Sequence, residues 1–183
     1  MIYDLSLRTA GIVTGVLLLI SGAVALLGSD NVRASLARFP RSKLAGIVLL
    51  TLAALWSFWL LVTMEMGEFS TFRKPLMIAL PIAYALVLKF VDEFLAVRAL
   101  GILCLLAGEP LLEAAFLRYE WSRLLVTLFA YVLIVLGLFW VTMPYLLRDQ
   151  IGWMTRSVGR WKLLGGIAVA YAVTVFVCAF TQY

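Results

Sequence analysis

The sequence contains no histidine, which removes the commonest general base and the usual ligand for haem and zinc. Cysteine is nearly as scarce. Cys104 and Cys178 each lie inside an apolar run without a CxxC partner and read as small buried hydrophobes. Charge is thin as well: 14% of residues, against about a quarter in a soluble domain. No Walker A loop, nucleophile elbow, HExxH helix or GxGxxG turn is present, and no RNA-binding or helix-turn-helix pattern. The sequence therefore points to no catalytic residue, no metal site, no cofactor and no nucleic-acid partner. Two carboxylates at a turn, as at Asp92 and Glu93 beside Lys89, read as a solvated tip.

What is present is apolar. Of 183 residues, 64% are hydrophobic, and the mean hydropathy is +1.06. A fold of this size could not hide so much apolar surface from water, so lipid has to be its solvent. A spanning helix needs about 20 apolar residues. Candidates run from Thr9 to Gly28, Leu44 to Met64, Pro75 to Phe90, Phe94 to Leu117, Ser122 to Leu147 and Leu163 to Thr181. The third is short enough to be tilted or partial. Pro75 suits a first helical turn, and Pro81 should kink the helix it sits in. The expected fold is all-α: a polytopic membrane helix bundle of about six transmembrane helices, with residues 1–183 forming one membrane domain. The first span lacks the net positive flank of a signal peptide. Despite a passable cleavage pattern at Ala23-Val24-Ala25, it is expected to be retained.

An internal match organises these spans. Asp30 to Gly46 aligns without gaps to Asp149 to Gly165, 119 residues downstream. Asp30, Arg41, Lys43, Leu44 and Gly46 recur as Asp149, Arg160, Lys162, Leu163 and Gly165. In each copy an apolar helix ends at an acid, a short basic amphipathic stretch follows, and a turn residue, Pro40 or Gly159, precedes the next helix. Residues 9–64 and 122–181 thus read as two parallel hairpin repeats, each with an in-plane linker, around a central pair at 75–117. Each linker carries four basic residues and one acid, a net +3, and together they exceed the whole chain's +5. The positive-inside rule then places both linkers in the cytoplasm and both termini outside. Arg33, Arg38, Arg41, Lys43, Arg156, Arg160 and Lys162 are the expected contacts to anionic lipid headgroups of the bilayer.

On the residues Arg33 to Gly46 and Arg156 to Gly165, each half resembles small bacterial inner-membrane hairpin proteins of uncharacterised role. The resemblance covers about a third of the chain. It implies a multi-pass protein of a bacterial inner membrane and carries no activity with it.

The fourth span holds the candidate chemistry. Arg98, Glu109 and Glu113 lie within an otherwise apolar segment, about three turns and then one turn apart, and the spacing puts Gly101 and Gly108 on the same stripe. Ionisable groups at membrane depth normally face protein, and small residues let another helix approach closely. Pro110 frees the carbonyl of Leu106 and disfavours helical geometry at Glu109, a local defect of the kind found at some ion sites. A structural reading competes: Arg98 snorkelling at one surface, and Glu109 pairing with Arg118 or Arg123 near the other. Trp56, Trp121, Trp140, Trp153 and Trp161 fit interfacial belts and packing. The leading expectation is a non-enzymatic membrane subunit or scaffold, with other membrane proteins or a second copy as partners. A small transporter or channel using Glu109 and Glu113 is the alternative, and a lipid-modifying enzyme stands third.

Overall fold

The computed structural model describes residues 3, 5–91 and 93–182. Eight α-helices follow one another, with no strand among the described residues: α1 (Leu7–Leu27), α2 (Asp30–Arg38), α3 (Lys43–Thr63), α4 (Arg73–Phe90), α5 (Leu95–Ala115), α6 (Arg123–Thr142), α7 (Tyr145–Thr155) and α8 (Val158–Thr181). Six stretches are long and apolar enough to cross a membrane. They are α1, α3, α5, α6, α8, and α4 together with the 3-10 turn Gly67–Phe72 before it. The third span is therefore longer than expected, because the 3-10 turn adds to it.

Local chemistry sets the helix ends. Ser6 caps α1 by accepting from the Thr9 N–H at 3.1 Å, and Ser42 caps α3 by accepting from the Ala45 N–H at 3.3 Å. Pro144 ends α6 at Thr142, five residues before the expected Leu147. Its ring forces Met143 out of helical geometry, to φ −125° and ψ 72°. The indole N–H of Trp140 then donates to Gln150 Oε1 at 3.1 Å, tying α6 to α7 across the break. The expected turn residues also shift. Gly159 lies in the first turn of α8, Pro40 is buried in a 3-10 turn, and the chain actually breaks at Ser42 and Ser157.

Glycine decides which helices pair. The most extensive pairings are α1 with α8 and α5 with α6. In the first, a Cβ on Gly22 would meet Val169 Cγ2 at 2.6 Å and the Gly165 carbonyl at 2.8 Å. In the second, Gly101 and Gly137 face each other, and a Cβ on either would come within 2.9 Å of the other's carbonyl. Lipid tails are as apolar as leucine, so close backbone approach rather than hydrophobicity drives such crossings. Neither α1 with α3 nor α6 with α8 forms an extended pair, so neither sequence hairpin closes on itself. Instead α5 is the hub. It packs on α6 and α3, touches α1, and buries more of its span than any other helix. Helix α4 buries no residue and is held to α3 by a Thr51–Tyr84 hydroxyl contact of 2.8 Å and by Val87 and Leu88 packed near Leu50 and Leu95.

The bundle has two distinct ends. At one, α2 touches α7, with Leu36 and Phe39 packed near Leu147 and Ile151. The tight α4–α5 turn lies at this end too, with Phe94 in the left-handed region at φ 56° and the Arg148 guanidinium 6.0 Å over its ring. At the other end Arg8 of α1 sits over the Phe180 ring of α8 at 5.5 Å. The start of α1 and the end of α8 thus share a side.

Candidate functional site

Helix α5 carries three of the chain's ionisable groups through the bundle, and their placement follows from helical geometry. Successive residues are about 100° apart at 3.6 per turn, so Gly108 and Glu109 cannot share a face. Gly101 and Gly108 are buried against α6, beside Gly137 and Ile134 respectively. Arg98 and Glu109 are exposed, and Glu113 is half-buried. The expected single stripe of glycines and charges therefore divides in two. The glycines are used by α6 of the same chain, and the charges occupy a separate face. Pro110 is buried, and α5 runs through it without a break, as α4 does through Pro81. For α5, neighbouring helices on both sides accommodate a proline whose i−4 bond is missing.

The charged face is split along its length. Arg98 and Glu109 are separated by about 16 Å of helix rise. Between them on the same face lie Ile102 and Leu105, both apolar. Glu109 and Glu113 share their end with groups that no spacing rule would reveal. The Tyr3 backbone N–H donates to Glu113 Oε2 at 3.4 Å, and the Trp56 indole N–H donates to the Tyr3 hydroxyl at 2.8 Å. The Tyr3 ring lies 5.5 Å from that of Trp59. The segment before α1 thus straps α3 to α5 beside the two carboxylates. Burial raises the Tyr3 phenol above its usual pKa; the Trp56 hydrogen bond opposes that, and the negative Glu109 and Glu113 add to it. Among the described residues no ion pair reaches Glu109, and neither Arg118 nor Arg123 takes the expected place beside it. Tyr3 lies more than a hundred residues from Glu113 in sequence, so only the fold could bring them together.

The basic residues gather at the opposite end. Arg33 pairs with Asp30, and Arg148 with Asp149 at 2.8 Å. Arg38, Arg41, Lys43, Arg156, Arg160 and Lys162 are exposed, and Arg160 stacks over the Trp153 ring at 5.1 Å. The Lys89 cluster falls in the α4–α5 turn, where Asp92 lies outside the described residues. No group of three or more metal-ligating side chains forms among the described residues.

Six apolar spans, with α5 as the most buried of them, define a multi-pass helical membrane protein. The chain matches no family model, no curated protein and no solved structure.

Proposed function

We propose that this chain is a non-enzymatic membrane subunit that holds a partner's helix against the open face of α5. The observation that carries the reading is Glu109. It sits about 9 Å inside the end of α5, exposed, with no cation of its own chain beside it among the described residues. A carboxylate at that depth is unfavourable unless it is paired or wetted, and a partner's polar or basic side chain would supply the pairing. Conduction fits the same face less well, because Ile102 and Leu105 interrupt any polar path toward Arg98.

The finer architecture belongs to the same proposal. The chain reads as two parallel helix–linker–helix copies interleaved with each other, with α2 and α7 as in-plane linkers at the cytoplasmic surface of a bacterial inner membrane. Matched Gly46 and Gly165 support this, since each seats a helix crossing: Gly46 against Ala96 of α5, and Gly165 against Ala25 of α1.

A photo-crosslinker placed at position 105, one turn from Glu109 on the same face of α5, tests the docking reading in intact cells. A single stoichiometric adduct is expected, and purified vesicles should be as tight as empty ones under imposed proton and cation gradients. If wild-type vesicles instead leak and Glu109→Gln seals them, the chain is a transporter and the subunit reading falls.

A further inference from the structure

The helix pairs α1/α8 and α5/α6 meet at only one end. There Leu7 and Ala10 pack against Leu111, Ala114, Val126 and Ala130, and the Tyr171 hydroxyl of α8 donates to the Leu125 carbonyl of α6 at 2.7 Å. Toward α2 and α7 two neighbouring cavities of about 520 and 670 Å³ open, the smaller walled by α1, α2, α7 and α8 and the larger by α2, α5, α6, α7 and α8. Leu36, Phe39, Met154 and Leu164 are walls of both. Each volume lies within the ~300–1,000 Å³ typical of small-molecule sites. Walls this apolar offer water too few partners to hold it, and an empty cavity forfeits dispersion contacts. In a bilayer the molecule at hand to fill them is lipid.

One further feature specifies which lipid. Around the same walls stand exposed cations. Arg38 adjoins Phe39, Arg160 and Lys162 flank Trp161, and Arg156 follows Met154 by two residues; none forms an ion pair among the described residues. Arg33 and Arg148, a little farther along, are already neutralised by Asp30 and Asp149.

We infer that this split is a binding site for one anionic glycerophospholipid. Its two acyl chains occupy the two cavities, and its phosphate lies among the cations of α2 and the start of α8. The site is at the opposite end of α5 from Glu109 and does not depend on what docks there. A partner helix about 10 Å across would not enter two cavities divided by Leu36 and Phe39, whereas methylene chains can.

Native mass spectrometry of the full chain in detergent, titrated with phosphatidylglycerol or phosphatidylcholine of equal chain length, tests the site. One phosphatidylglycerol should bind before any second and about 25-fold more tightly than phosphatidylcholine, ~1 kcal/mol for each of Arg38 and Arg160. Changing Arg38 and Arg160 to Gln should lower that preference by about fivefold per charge, equivalent to ~1 kcal/mol each. Ser35→Phe, which adds a ring at an exposed position of α2 lining the smaller cavity, should weaken phosphatidylglycerol binding. Equal affinity for the two lipids, or undiminished phosphatidylglycerol binding by Ser35→Phe, would overturn the assignment.

Discussion

Replacing Gly137 with alanine tests whether the α5–α6 crossing rests on backbone contact. The new Cβ would lie 2.8 Å from the Gly101 carbonyl oxygen and 3.0 Å from Leu105 Cγ. Comfortable non-bonded separations are ~3.5–4.0 Å, so the helices must part by several tenths of an ångström, and overpacking of this kind costs ~1–3 kcal/mol. Alanine's better helix propensity returns up to ~1 kcal/mol, which has to be separated from the clash. Gly166, on α8, supplies the control, because a Cβ there meets nothing within 4 Å. Gly166→Ala should therefore be neutral or stabilising, and Gly137→Ala destabilising, with a difference of ~1–3 kcal/mol between them. Gly101→Ala should match Gly137→Ala, and the double variant should cost less than the sum, since one separation of the helices relieves both clashes. Reversible unfolding in mixed micelles of increasing SDS fraction measures all four. Equal stabilities for Gly137→Ala and Gly166→Ala would refute the close-crossing argument.

Four further outcomes can be measured. Tyr3→Phe removes the acceptor of the Trp56 indole and should loosen the segment before α1 by ~1 kcal/mol, seen as faster hydrogen exchange there. The raised Tyr3 pKa makes the docked segment the better proton binder. Its docking should thus be at full strength below pH 10 and weaken as pH rises toward the docked-state value, a loss that Tyr3→Phe should lack and that exchange rates across that range would reveal. A Thr51→Val and Tyr84→Phe double-mutant cycle should return ~0.6 kcal/mol of coupling between α3 and α4, and a coupling of zero in the same SDS titration would remove the hydroxyl pair as a tether. A cysteine at position 38 should resist impermeant thiol reagents in sealed cells, and ready labelling from outside would reverse the orientation inferred from linker charge.

What could be read without coordinates was whatever a run of neighbouring residues decides. Hydropathy over about twenty positions located all six spans, because the bilayer imposes length and apolarity on each helix separately. Helix ends set by local side chains were partly legible. Pro144 cuts α6 short through its effect on Met143, and that signal was present in the sequence although the apolar run continues past it. Pairing was not legible. All spans are similarly apolar, so partners are chosen by where glycines let two backbones approach, and Gly22 meeting Gly165 or Gly101 meeting Gly137 depends on the positions of both helices at once. The same applies to the charged face of α5. Sequence located Arg98, Glu109 and Glu113, but the rotation of α5 set by its glycines decided that α6 would take the small residues and leave Glu109 open beside Tyr3. The cavities under α2 and α7 are likewise tertiary, because their walls come from α1, α2, α5, α6, α7 and α8, brought together only by the packed bundle.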